Sequence, residues 1–367
     1  MSRNRIIYNV LALYSSQVLP SGMQTGVNTI KQLTRVQSFD ENFSRNLTDV
    51  NQFGNLAAID RIEVEAPTVN GSLSYYVTDG SNEKFLGLTV GPSGGPSANL
   101  TSCISGLLNK TTDEKNYYLL IADEGNDASN YTLANGNSGV IGLGNGFITS
   151  YSVNAAVGEI PTASVELEAL NVRVYADVNG NNDVPAIDPE NGLSITSAQF
   201  RLPVAATNVN GSQVTALQPG DIDFTLDGIV GYDEANLKVQ DFTLSFDLNR
   251  TPLQKLGSKF AFSREIDFPV TATLEVNAEV GDLQDGNLAS LLCDSPTYDF
   301  TITMKKPACN GAGTPSIAYV FKGAKLISQN FTSAIGSNAN MSASYEVQLG
   351  GPQDNLKGIF ISGSYVS

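Results

Sequence analysis

The chain has 367 residues, with 37 acidic against 21 basic, a net charge of −16 and a pI near 4.3. It contains no histidine, which removes Ser-His-Asp and Cys-His nucleophiles, imidazole acid–base chemistry and His-ligated metals together. The acidic balance is also wrong for gripping nucleic acid or an anionic membrane. Charged residues make up only 16% while Gly occupies 34 positions, a loop-rich β profile with length for two domains.

The opening MSRNRIIYNVLALYSS is too interrupted by polar residues for a signal peptide, and no apolar run is long enough to span a membrane. From Val36 to Gly54 the chain reads VQSFDENFSRNLTDVNQFG, and from Val239 to Gly257 it reads VQDFTLSFDLNRTPLQKLG. Seven of these nineteen positions are identical: Val36, Gln37, Phe39, Phe43, Asn46, Thr48 and Gly54 fall on Val239, Gln240, Phe242, Phe246, Asn249, Thr251 and Gly257. Downstream, Arg61 meets Arg264, and EVEAP (Glu63–Pro67) meets EIDFP (Glu265–Pro269) after a one-residue gap. The chain therefore holds one ancestral unit twice.

Next come the turn at Asp79-Gly80 and the cluster Pro92 to Pro96. GPSGG (Gly91–Gly95) spells a nucleophile elbow around Ser93, but without histidine it reads as a turn, as does GLGNG (Gly142–Gly146). Asn99 to Leu108 places Leu100, Cys103, Ile104, Leu107 and Leu108 on one face, predicting a short amphipathic helix capped by Asn99. Val165, Leu167 and Ala169 then alternate with Ser164, Glu166 and Glu168, a strand with one wet face.

The stretch from Asp177 to Gly192 reads as a linker, dividing the chain into domains at 1–176 and 193–367. Asp177, Asn179, Asn181, Asp183 and Asp188 stand at positions 1, 3, 5, 7 and 12 of a calcium-type loop. Gly at position 4 rather than 6, Asp rather than Glu at position 12, and the lack of flanking helices favour a polar linker, so no metal or cofactor is expected. SITSAQFRL, after Leu193, begins the second domain's strands. Ala206 to Asn236 has no counterpart in the first half and reads as an extended loop or arm.

Further strands follow: Phe242, Leu244, Phe246 and Leu248 alternate with Asp241, Thr243, Ser245 and Asp247. Val270 to Ala278 and Tyr298 to Met304 repeat the pattern. Asn287 to Ser295 predicts the second domain's short helix. At the closing strands Ala156, Gly158, Ala163, Ser164 and Glu166 correspond to Ala334, Gly336, Ala343, Ser344 and Glu346 with a two-residue slip. Cys103, Cys293 and Cys309 lack metal spacing and read as buried thiols. The fold class is all-β: two tandem β-sandwich domains, each with one flanking helix.

Matched Arg61 and Arg264 stand beside acids, either on a solvated strand face or as bridges to a neighbouring subunit. Matched Glu166 and Glu346 have nothing converging on them that would make a catalytic pair, and no enzyme is expected.

The repeated VQSFDENFSRNLTDVNQFG and VQDFTLSFDLNRTPLQKLG blocks, the EVEAP and EIDFP strands and the closing SASYEVQLGGPQDNLKGIFISGSYV (Ser342–Val366) together resemble the tail tube proteins of tailed bacteriophages. The resemblance implies a β-sandwich with a flanking helix whose strands continue into an oligomeric inner β-barrel. Two domains per chain imply a homotrimer forming a pseudo-hexameric ring, with rings stacked into a tube that passes double-stranded DNA without binding it. It also implies a virion protein, assembled in the host cytoplasm, whose partners are tape measure, tail terminator, baseplate or tip, and sheath if the tail contracts. Ser164, Glu166, Glu168, Asp241, Asp247, Ser344 and Glu346 are then the expected lumen-lining residues. The alternative is a capsid-decoration or carbohydrate-binding β-sandwich, against which the absence of Trp weighs.

Overall fold

A computed structural model describes residues 6, 11–19, 30–92, 101–122, 128, 138–176, 182–203, 216–224, 229–232, 236–289, 296–308, 313–336 and 338–366. The chain is all-β, built of large antiparallel sheets. The principal strands of the first half are β1 (Leu11–Gln17), β2 (Val36–Ser44), β3 (Thr68–Tyr76), β4 (Lys115–Ile121), β5 (Gly139–Ala156), β6 (Thr162–Ala169) and β7 (Asn171–Tyr175). Those of the second half are β8 (Lys238–Asp247), β9 (Val270–Glu279), β10 (Tyr298–Lys305), β11 (Pro315–Thr332), β12 (Asn340–Leu349) and β13 (Gly358–Gly363).

One long sheet runs through both halves in the order β2-β3-β6-β5-β8-β9-β12-β11. Its first four strands belong to the first repeat and its last four to the second, each in the same relative order. Behind it lie two outer sheets. In the first half β1, β4, the start of β5 and β7 pair. In the second, β10, the start of β11 and β13 pair, flanked by Ile222–Phe224 and by Val90–Pro92.

Strands β5 and β11 are each 18 residues long and pass from an outer sheet into the long one. The crossing needs a kink. A left-handed residue supplies it in both copies, Asn145 at φ 55° and Gly323 at φ 69°. GLGNG is therefore the bend of a continuous strand, where the sequence suggests a turn.

The duplication extends to irregularities. Gln37 and Gln240 each form a bulge in the edge pairing of their repeat, and each side chain donates to the carbonyl two residues earlier, Arg35 O and Lys238 O. A second bulge falls at Thr149 in β5 and at Ile327 in β11. Bulges re-aim strands and terminate clean pairing, so their recurrence fixes which residues correspond. Val165 and Ala343 occupy the same place opposite Leu73 and Val276. The strand register thus removes the two-residue slip expected from the sequence: Glu168, not Glu166, is the counterpart of Glu346. A slip of two leaves every side chain on its own face, so hydrophobic patterning is blind to it.

Apolar residues of the long sheet pack against both outer sheets in one continuous core that includes Leu73, Tyr151, Val165, Phe242, Leu274, Phe300 and Tyr345. A smaller core on the far side of the first outer sheet joins Tyr14, Tyr118 and Tyr175 to Val184, Ala186, Phe200 and Leu202. The linker and the start of SITSAQFRL are thereby part of the first repeat's packing, and Gln199–Phe200 pairs with Asn182–Asp183.

Helical elements are short. Cys103–Leu108 is a 3-10 helix with Cys103, Ile104 and Leu107 buried. The helix-capping side chain is Asn109, whose Oδ1 accepts from Thr111 N at 3.1 Å at the start of Lys110–Asp113; Asn99 lies outside the described residues. Ser81–Leu86 forms a helix directly after the Asp79-Gly80 turn, in a stretch to which the sequence pattern assigns no element. Of the second predicted helix, Asn287 Oδ1 accepts from Ala289 N at 2.9 Å, and residues 290–295 lie outside the described residues. Among the described residues no helix is long and apolar enough to cross a membrane.

Candidate functional site

The two repeats meet head to tail. The last long-sheet strand of the first, β5, pairs with the first strand of the second, β8, from Ala156 opposite Asp241 to Ser150 opposite Asp247. Val157 N donates to Gln240 O at 2.9 Å and Leu248 N to Thr149 O at 2.7 Å, closing both ends of the ladder. Beneath it Phe242, Leu244 and Phe246 face Ala155, Val153 and Tyr151, with the Phe246 and Tyr151 rings 5.5 Å apart.

Polar groups fasten the same junction. The Tyr75 and Tyr151 hydroxyls donate to Glu83 Oε1 at 3.0 and 3.1 Å, and Tyr319 of the second repeat lies 3.0 Å from Tyr151. Glu83 is fully buried, and burial pushes its carboxyl above the ordinary range. The same burial, with the carboxyl alongside, holds the three phenols protonated.

After β8 the chain folds back over the first repeat. Arg250, whose side chain is 4% exposed, grips Asp113 with two parallel bonds of 2.7 and 2.8 Å and also donates to Ile148 O and Arg264 O. Its guanidinium lies 5.1 Å from the centre of the Phe147 ring. Arg264, also buried, reaches over β5 to bond Glu168. Lys259 N and Phe260 N donate to Glu190 O and Pro189 O. A cavity of about 360 Å³ lies under this segment, lined among others by Leu107, Asp113, Phe147, Arg264 and Phe268.

The outer ends of the long sheet look different. β2 corresponds to β8, yet almost all of it is exposed: Phe43 is 62% exposed where Phe246 is 2%. At the opposite edge, Ile327, Phe331 and Ile335 at the end of β11 and just beyond it are exposed, although the Gln329 amide bonds Val230 N and O and the Phe331 ring stacks on Tyr232 at 6.2 Å. The first repeat's own fold-back is a hairpin of Leu47–Val50 with Asp60–Glu63, held by Arg45–Glu63 and Arg61–Asp49 pairs. It stands in solvent, with Phe53 and Leu56 uncovered at its tip. Among the described residues neither outer edge has a partner strand; such an edge is a template for another strand, and these two are the counterparts of the edges that meet inside the chain.

The face of the long sheet turned from the core is polar throughout. One row reads Ser38, Ser74, Ser164, Ser152, Ser245, Thr273, Glu346 and Lys325 across all eight strands. The next begins Asp40, Ser72, Glu166, Ser150 and Asp247. All seven residues selected from sequence share this face: Ser164, Glu166 and Asp247 are exposed, and Asp241, Ser344 and Glu346 half-buried. Glu168 is there too, but it is engaged by Arg264 rather than open. Of the arginine pair, expected on a solvated face or bridging to a neighbouring subunit, Arg264 is buried and bonds Glu168 of the same chain across the two repeats, and Arg61 bonds its own hairpin.

In the calcium-type loop, Asp177, Asn179 and Asn181 lie outside the described residues. Asp188 uses both carboxylate oxygens in its own turn, accepting from Glu190 N at 3.0 Å and Asn191 Nδ2 at 2.7 Å. Asp183 sits in the short pair with Gln199. Among the described residues no cluster of three or more acidic or cysteine side chains is placed to hold a metal. Cys103 is buried, and burial pushes its thiol well up; Cys293 and Cys309 lie outside the described residues.

Sequence reading missed Glu83, Asp113 and Arg250. For Arg250 a signal existed: it stands where the first repeat has Leu47, and a charge in only one of two copies marks a contact that only one copy makes. No family model matches this chain, and neither does any curated protein sequence.

Proposed function

We propose that the chain is the repeating structural subunit of a bacteriophage tail tube, three copies closing a pseudo-hexameric ring and rings stacking around a channel for DNA. The observation that carries this reading is the head-to-tail β5–β8 junction, because it leaves at the sheet's two ends the same pair of edges that it joins in the middle. Interfaces of this heterologous kind either close into rings or run on as filaments. With eight strands from each chain, three chains make a 24-stranded barrel, roughly 45–50 Å across at the backbone for ordinary strand spacing and tilt.

The uncovered face supports the same reading. It carries Ser, Thr and Asn hydroxyls and amides with Asp40, Glu166, Asp247, Glu275 and Glu346, and few cations. As a lumen it would repel a polyanion and let it slide. In this reading the protein belongs to the virion, is made in the host cytoplasm, and meets tape measure, terminator, tip or baseplate, and a sheath in a contractile tail. Negative-stain electron microscopy at high protein concentration, with mass photometry, tests it. Rings or tubes with a central hole and a mass of three chains are the expected result. A chain that remains monomeric at every concentration would turn the assignment toward a decoration or glycan-binding module.

A further inference from the structure

We infer that a second copy of this chain adds its β2 to the β11 edge, whose Gln329 and Phe331 side chains rest on Val230 and Tyr232 of the same chain, in one fixed register, and that Arg61 of the incoming chain then bonds Glu346 of the receiving one. The inference rests on the ring reading above and assigns the residues of its intermolecular seam.

The argument is a transfer of observed contacts. Inside the chain, Arg264 follows the edge strand of one repeat and bonds Glu168, one strand in from the edge of the other. Arg61 is the sequence counterpart of Arg264. Glu346 is the register counterpart of Glu168, since both stand just past the shared bulge, opposite Lys325 and Phe147. Among the described residues Arg61 and Glu346 make no such bridge within the chain, and a second copy supplies it. Arg61 is 67% exposed and held by Asp49. The second repeat has Pro252 at that position, so this holding contact belongs to the unassembled edge alone.

The same transfer fixes the strand register. Asp241 opposite Ala156 becomes Ser38 opposite Ala334, and Ser245 opposite Ser152 becomes Asn42 opposite Asn330. Ile335 N would donate to Gln37 O as Val157 N does to Gln240 O. Phe43 would face Gln329, and Glu41 would face Phe331, where the internal junction has Phe246 with Tyr151 and Leu244 with Val153. The external seam is the more polar of the two, as an edge that must stay soluble before assembly requires.

Cross-linking and a charge exchange test it. The internal ladder bonds backbone groups at Gln240 and Leu248, so Ser245–Ser152 and its external equivalent are non-hydrogen-bonded pairs, with side chains close. Asn42→Cys with Asn330→Cys should oxidise to covalent dimers and trimers, whereas Asn42→Cys with Thr332→Cys, two residues out of register, should not. Arg61→Glu and Glu346→Arg should each raise the concentration needed for rings about tenfold, and the double exchange should recover most of it, with melting of the unassembled chain unchanged for Arg61→Glu. Rings that form without the 42–330 cross-link, or a double exchange no better than the singles, overturn the seam and leave the ring reading intact. A chain that never associates overturns both.

Discussion

Glu83 has three tyrosines of two repeats around one carboxylate oxygen and no water-accessible surface. Its carboxyl titrates above the ordinary 4.5 in the folded chain. The folded state therefore holds the proton more tightly than the unfolded chain. Stability on this account is full below pH 4.5 and falls as pH rises through the folded value. Glu83→Gln should flatten that slope, read as urea midpoints across pH 4.5 to 8. Glu83→Leu should cost about 3 kcal/mol at pH 4.5 by leaving buried hydroxyls without their acceptor, and less at pH 8, where the native carboxyl's own contribution has fallen. Nothing in SNEKFLGL announces this role: a buried acid in a short helix looks like a solvated one until three distant tyrosines are brought to it.

At the level of the strand, β2 and β8 show how far sequence can be read. Shared Val, Gln and Phe positions establish that the two are copies, and alternation establishes which face is wet. Neither says that β8 is covered and β2 bare, because that depends on what lies beside each strand. A consequence is measurable. Phe246→Glu buries a charge between β5 and the core and should prevent folding, a loss above 4 kcal/mol. Phe43→Glu, at the equivalent exposed position, should shift the stability of the single chain by about 0.5 kcal/mol or less while abolishing rings in the microscope. Equal damage to monomer stability from both would contradict the difference in burial. Register was likewise out of reach, since a two-residue slip conserves every polar and apolar face, and only the bulges at Gln37, Gln240, Thr149 and Ile327 decide it.

For the molecule as a whole, the acidic balance and the single polar face belong together. Asp40, Glu166 and Asp247 share a row on that face and are all exposed. If the chain assembles as proposed, replacing all three by Lys should leave the fold intact but make the tubes retain duplex DNA at low salt and release it as salt rises, whereas tubes of the unaltered chain should retain none. Retention that does not change would mean that this face is not the one presented to DNA.

The head-to-tail covalent joining has a mechanical corollary. In a ring of three such chains, every second seam is tethered, apolar and reinforced by the Arg250–Asp113 clasp, and those between are untethered and edged with Glu41 and Gln329. Sixfold geometry would conceal threefold strength. Strain or denaturant would part the circle along three lines only, releasing whole chains rather than half-chains. Evolution could then tune the three weak seams for reversible closure without loosening the other three.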